Sequence, residues 1–188
     1  MKILAVIPAR KNSKSIKNKN LKKIGKGSLV EKTIKLVKKS KIFDAIILTS
    51  DDKKILKIGK KFNLITLERK KKLSSSKAKA ENVWYDAHSV AEKRKNKIFD
   101  FSFYLEPTSP MREVSDLDKG LKKILGKKFD TVLSISKTKY NNKNLISLKN
   151  SKKLRINFKN STYHRNGIFY LSNRKKVFSK QKIISGKV

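Results

Sequence analysis

Short apolar runs alternate with amphipathic helical stretches along most of this chain, and that alternation constrains the fold more than any other feature. Lys2–Ile7 (KILAVI) reads as a buried strand. Ser28–Lys39 follows with Leu29, Val30, Thr33, Ile34 and Val37 on one face, so a helix is expected. Ser28 and Glu31 there have the spacing of a capping box. Asp44–Ser50 reads as a second strand, Asp52–Phe62 as a helix and Leu64–Leu67 as a short strand. Lys79–Arg94 is helical by its Val83, Ala87, Val90, Ala91 face, and Phe101–Leu105 is an aromatic strand. Ser115–Leu125 is expected to be a helix capped by Ser115, with Asp116 and Asp118 in its first turn and Leu117, Leu121 and Ile124 inward. Thr131–Ile135, Leu145–Leu148, Leu154–Phe158 and Gly167–Leu171 complete the strand-like pieces. The order predicts an α/β domain with a mostly parallel central sheet flanked by helices.

A chain of 188 residues is long enough for one domain with a real core. Its formal net charge is +36, carried by 43 Lys against 7 Arg. Arginine is the better residue for reading phosphate and nucleic acid by geometry. Lysine spread over every segment therefore reads as a solvated surface, and no specific nucleic-acid partner is expected. The field it creates would still draw in a small acidic ligand. The absence of Cys excludes disulfides, a thiol nucleophile and thiolate metal sites. MKILAVIPA is too short and too soon followed by Arg10 and Lys11 to be a signal peptide, and no segment is long enough to span a membrane, so a cytoplasmic protein is expected.

In a parallel sheet, ligands bind beyond the carboxyl ends of the strands. Three segments fall there. IPARKNSKSIKNKNL places Arg10 just after the first strand and gathers Asn12, Ser13, Ser15 and Asn20 with Lys14 and Lys19. Such a loop is either a nest for phosphate oxygens or a plain solvated turn, and neither GxGxxG nor GxxxxGKS is present. TSDD places Asp51 where a carboxylate can hold a ribose hydroxyl or a metal, or else where Ser50 or Asp51 caps the next helix. EPTSPMR frames Thr108 and Ser109 with prolines ahead of Arg112. It is either a rigid loop presenting hydroxyls or a stiff turn into the next helix. His88, Trp84 and Tyr85 sit among apolar neighbours and read as packing residues.

Taken together, IPARKNSKSIKNKNL, GSLVEKTI, FDAIILTSD, PTSPMR and YHRNGIFYL resemble, in order and over nearly the whole chain, the nonulosonic acid cytidylyltransferase family, whose members include the CMP-N-acetylneuraminate synthetases. The resemblance implies a Rossmann-like nucleotidyltransferase fold, a homodimer, and a reaction of CTP with a sialic-acid-like sugar acid that gives CMP-sugar and pyrophosphate with Mg²⁺. It implies that Arg10 and Lys19 form the catalytic pair on the triphosphate. Ser13, Lys14, Asn20, Asp51, Arg69 and Thr108 would join Arg10 in binding the nucleotide. Ser109, Arg112, Asn166 and Gly167 would border the sugar.

The chain departs from the family pattern at several positions. Ser15 stands where Gly is usual, Glu106 where Gln is usual, Lys70 where Pro is usual, and His164 where Arg is common. A D-I-D-T-like motif that supplies metal ligands is absent, and no acidic residue follows Asp130. We therefore expect a single cytidylyltransferase domain over residues 1–188 that ends ahead of its metal-binding motif, with the metal ligands unknown. The alternatives are a catalytically impaired or non-catalytic nucleotide- or polyanion-binding relative, and an enzyme that acts on Kdo.

Overall fold

The structure is a computed structural model, which describes residues 1–11, 16–126, 129–138, 162–180 and 188. Its centre is a six-stranded sheet in the order β3-β2-β1-β4-β6-β5. The strands are β1 (Ile3–Pro8), β2 (Ala45–Ser50), β3 (Ile65–Glu68), β4 (Phe101–Tyr104), β5 (Thr131–Thr138) and β6 (Thr162–Asn173). β1 pairs in parallel with β2 and β4, and β2 with β3, while β6 runs antiparallel to both β4 and β5. The expected mostly parallel sheet is therefore present, with one reversed strand.

The helices are α1 (Leu29–Lys39), α2 (Lys53–Lys61), α3 (Lys71–Ser74), α4 (Ala80–Lys95), α5 (Val114–Gly126) and α6 (Arg174–Phe178). β1 shows why the first run of the sequence is apolar without alternation. Its Ile3, Ala5 and Ile7 pack with Val30, Ile34 and Val37 of α1, Ile55 of α2, and Leu117 and Ile124 of α5. Its Leu4 and Val6 pack with Val83, Trp84, Ala87 and Ala91 of α4 and Val177 of α6. Both faces of the strand are covered, so every position is apolar. Each Leu, Ile or Val among them contributes about 1.5–3 kcal/mol on full burial.

Local chemistry sets the helix starts. Ser28 and Glu31 close the expected capping box: the Glu31 N–H donates to Ser28 Oγ at 3.4 Å, and the Ser28 N–H to Glu31 Oε2 at 2.7 Å. At α2 neither Ser50 nor Asp51 is the cap. Asp52 is, with its Oδ1 accepting from the Lys54 N–H at 2.8 Å, and Ser50 Oγ accepts from the Asp52 N–H at 3.0 Å. Ser115 is also not a cap. α5 begins one residue before it, and Asp116 Oδ2 accepts from the Glu113 N–H at 2.9 Å, while the Ser115 hydroxyl donates to Glu113 at 3.2 Å. Asp116 lies inside the helix and reaches back to the amide of Glu113, the half of a capping box that the third helical residue supplies.

The expected strand Gly167–Leu171 is the middle of the much longer β6, and α3 and α6 are helices that the apolar pattern did not announce. The expected strands Leu145–Leu148 and Leu154–Phe158 lie outside the described residues. Among the described residues, no helix is long and apolar enough to cross a membrane.

Candidate active site

The strand order reverses direction between β1 and β4, and the crevice outside the carboxyl ends of those two strands is where such sheets accept ligands. The β1–β2 ladder continues one residue past Pro8, with the Ala9 N–H donating to the Thr49 carbonyl at 2.9 Å. Arg10 leaves the sheet immediately after. The chain returns through a 3-10 turn, Lys19–Leu21, entered at Asn18 with φ 54°, a left-handed conformation that Asn tolerates. Asn20 is buried, and its Nδ2 donates to the Arg10 carbonyl at 2.9 Å, which ties the turn to the strand end. Its Oδ1 is buried and has no hydrogen-bond partner among the described residues. On the other side Asp51 Oδ1 accepts from the Lys11 N–H at 2.7 Å. Asp51 thus fixes the start of this loop.

The outcome is that Arg10 and Lys19 line one cleft of about 340 Å³, together with Asn20, Arg69, Glu106 and Thr108. Ser13 and Lys14, expected to join them, lie outside the described residues. Tyr104 and Val83 form part of the lining from below, and Leu73, Ser75, Ser76, Ala78 and Ala80 close the side nearest α4.

Arg69 follows β3, and its N–H donates to the Ser50 carbonyl at 2.8 Å. The side chain folds back under the cleft: Nη2 donates to the Thr49 carbonyl at 2.9 Å, and Nε meets Thr49 Oγ1 at 3.4 Å. Burial pulls its proton affinity below that of an ordinary guanidinium, while Tyr104 and Asp51 act the other way. A guanidinium keeps its charge through such a shift, so Arg69 is a fixed positive wall.

The PTSP loop leaves β4 on the opposite side. Thr108 is exposed and reaches the cleft. The Ser109 hydroxyl donates to the Asn166 carbonyl at 3.2 Å. Arg112 is turned inward rather than toward the cleft. Its Nη2 donates to the Glu106 carbonyl at 2.8 Å and the Gly167 carbonyl at 3.3 Å, and its Nε to the Ile168 carbonyl. It is 4% exposed, and burial brings its pKa down to about 10. These contacts make Arg112 the tie between the loop and β6, a part that needs the two-pronged guanidinium. Asn166 is similarly engaged: Oδ1 accepts from the Ser134 hydroxyl at 2.5 Å and the Ile168 N–H at 3.1 Å, and Nδ2 donates to Ser136 Oγ at 2.8 Å. It holds the irregular step in register between Leu133 and Ile135 of β5. Gly167 has φ 70°, and a Cβ there would sit 3.4 Å from both Glu106 Oε2 and Ser109 Oγ. The three therefore border one spot at the rim.

Glu106, which stands where the family usually has Gln, lines the cleft. Burial raises the proton affinity of its carboxyl, against the pull of Lys19, Arg112, Arg165 and Arg10. Ser75, Ser76 and Ala78 reach the cleft from the segment between α3 and α4.

His88 and Trp84 are packing residues, as read from sequence. Trp84 Nε1 donates to Ser102 Oγ at 2.6 Å; His88 Nδ1 meets the same oxygen at 3.2 Å and Nε2 meets Glu92 Oε1 at 3.3 Å. Burial holds the His88 pKa down to about 4. Tyr85 stacks edge-on against Phe178.

The described residues do not fit a metal ion. No three His, Cys, Asp or Glu side chains among them cluster. Asp51 is committed to the Lys11 amide, and Glu106 stands among cations. A hard divalent ion prefers several oxygen donors.

A sheet of this order, with cations gathered where the order reverses, defines a nucleotide-binding α/β protein, and solved nucleotidyltransferases share the fold. A CMP:2-keto-3-deoxy-manno-octonic acid synthetase solved with CTP superposes at TM-score 0.67, with 15% identity, over 95% of this chain and 77% of that one. The profile of the cytidylyltransferase family matches residues 4–186, and the chain belongs to that family. It is 30% identical to the post-translational flagellin modification protein B of Campylobacter coli over 133 residues, 70% of this chain and 57% of that protein. It is 27% identical to the pseudaminic acid cytidylyltransferase of Campylobacter jejuni subsp. jejuni serotype O:2 over 186 residues, 93% of this chain and 80% of that protein.

Proposed function

We propose that the protein activates a sialic-acid-like nonulosonic acid with CTP, giving CMP-sugar and pyrophosphate. The observation that carries this reading is the meeting of Arg10, Lys19 and Arg69 at one cleft outside β1 and β4. Three cations on one small volume suit a triphosphate. The sugar hydroxyl attacks the α-phosphorus, and the β,γ-diphosphate departs with a growing negative charge. Fixed cations that meet that charge lower the barrier without reorganising, and the remaining contribution is holding the two reactants in line. Arg69, locked on Thr49, and Lys19, set on a turn anchored by Asn20, are fixed in this way.

Membership of the family supports the nucleotide, and the names of the relatives support the acceptor class, with pseudaminic acid the first candidate. Mg²⁺ belongs to this reading only as the counter-ion that arrives with the nucleotide. A homodimer working in the cytoplasm is part of the same proposal, and light scattering of the purified chain tests the assembly.

The direct test incubates the protein with CTP, Mg²⁺ and pseudaminic, legionaminic, N-acetylneuraminic or Kdo acid, and follows pyrophosphate. Release with a nine-carbon acid and little with Kdo is expected. Release with Kdo alone moves the acceptor to the eight-carbon class, and release with none overturns the reading.

A further inference from the structure

We infer that Glu106 is the group that takes the proton from the attacking sugar hydroxyl. This rests on the cytidylyltransferase reading above and adds to it a residue for the one proton the reaction must move.

Position is the first argument. Glu106 comes two residues after β4, next to Leu105, whose N–H still donates to the Val6 carbonyl at 2.9 Å, so the strand end holds it at the cleft. On one side stand Arg10 and Lys19, the cations of the triphosphate. On the other stand Ser109 and Gly167, at the rim where β6 approaches. The carboxylate therefore lies between the place for phosphate and the place left for a second reactant. Gly167, at φ 70°, borders the same spot, where a Cβ would sit 3.4 Å from Glu106 Oε2.

Chemistry is the second. Among the described residues the Glu106 carboxylate closes no contact ion pair. Ser109 gives its hydrogen to the Asn166 carbonyl instead. The carboxylate therefore faces the cleft, where a ligand hydroxyl can donate to it in place of solvent. The groups that face it are Arg10 after β1, Lys19 on the 3-10 turn, Arg112 before α5, Arg165 on β6, and the phenols of Tyr104 and Tyr170. Burial raises its proton affinity, and the four cations hold it partly down. Nucleotide phosphates that neutralise Arg10 and Lys19 remove part of that restraint, so the carboxylate becomes a stronger base when CTP is bound. A base tuned upward toward the working pH is more effective than an ordinary surface carboxylate.

The step balances. The sugar oxygen forms a bond to the α-phosphorus as its O–H bond breaks, and the proton passes to a Glu106 oxygen. The bond from the α-phosphorus to the bridging oxygen breaks, and pyrophosphate leaves with the electron pair.

The test compares wild type, Glu106→Gln and Glu106→Asp, with CTP and whichever of the four sugar acids the wild type turns over. We expect kcat of Glu106→Gln to fall by about 100-fold or more. The acidic limb of its pH–rate profile should vanish, and Glu106→Asp should keep that limb with a lower rate. Calorimetry should show CTP bound by Glu106→Gln as tightly as by wild type or more tightly, since a negative charge beside the phosphates is gone. A Glu106→Gln enzyme with wild-type kcat, or with the acidic limb intact, overturns the inference and leaves the cytidylyltransferase reading standing. A wild type that releases pyrophosphate with none of the acids overturns both.

Discussion

At the amino ends of the central strands, Asp44 and Asp100 close the sheet: Asp44 Oδ2 accepts from the Ile3 N–H at 2.8 Å, and Asp100 Oδ2 from the Lys2 N–H at 2.6 Å. Lys2 Nζ completes the seal with Asp44 at 3.0 Å. At the carboxyl ends of the same strands, Arg10, Lys19 and Glu106 surround a cleft, and among the described residues no carboxylate closes a contact ion pair with either cation. Opposite charges are matched at contact distance at one end and kept apart at the other. Matched charges satisfy the chain itself, whereas gathered cations await a counter-charge from outside. A chain with a net charge of +36 could have scattered its lysines anywhere; what distinguishes the cleft is that its cations are anchored.

That contrast predicts that carboxyl-end substitutions remove activity and spare the fold, while closed-region substitutions do the reverse. The largest effect should come from Arg10→Ala and Lys19→Ala, each lowering CTP-dependent pyrophosphate release by about 100-fold or more. Their thermal midpoints should stay within about 2 °C of wild type. A stable, active variant of either would break the contrast. Arg112 sharpens it, because the residue stands near the cleft yet faces inward. Arg112→Ala leaves main-chain carbonyls without their donor and should cost about 3 kcal/mol in urea unfolding. Arg112→Lys should restore little of that, since one ammonium cannot replace the fork.

The packed face beneath α4 makes the same point through pH. His88 is buried neutral, with a pKa near 4 against about 6.5 in an unfolded chain. Above pH 6.5 neither state holds the proton. As pH falls from about 6.5 to 4, the unfolded chain binds a proton that the folded one refuses, and stability declines over that window. His88→Gln should flatten that decline, as read by urea unfolding at pH 7 and pH 5. The smallest effect should be at the sealed end, where Asp44→Asn costs about 1 kcal/mol at neutral pH and leaves CTP binding unchanged. Burial raises the Asp44 carboxyl, but the Ile3 amide and Lys2 together bring it below its usual 3.8. Its contribution is therefore full above that value and is lost only as pH falls through the lower folded pKa.

Much of this was legible in the residues. β1, β2, β4 and the helices between them announce themselves because strands covered on both faces must be apolar throughout, and because Ser28 and Glu31 mark a helix start locally. Arg10, Lys19 and Thr108 were placed at strand ends by that same pattern. The parts that stayed hidden depend on distant partners. The direction and length of β6 follow from pairing with β4, which its own sequence does not encode. Arg112 is expected at the sugar by resemblance alone, and nothing in its own segment announces the three carbonyls that its guanidinium meets. Asn166 reads as a sugar-facing amide until Ser134 and Ser136 arrive from β5. Glu106 was visible as a departure in its motif, but only the cleft shows what it stands beside.

Calorimetric titration of the wild type and Lys19→Ala with CTP, ATP and GTP bears most directly on whether the cleft holds a cytidine triphosphate. CTP should bind the wild type at least ~10-fold more tightly than ATP or GTP, about 1.4 kcal/mol, and lose most of that affinity in Lys19→Ala. Equal affinity for the three nucleotides, or CTP binding undiminished by the substitution, would contradict the assignment of the cleft.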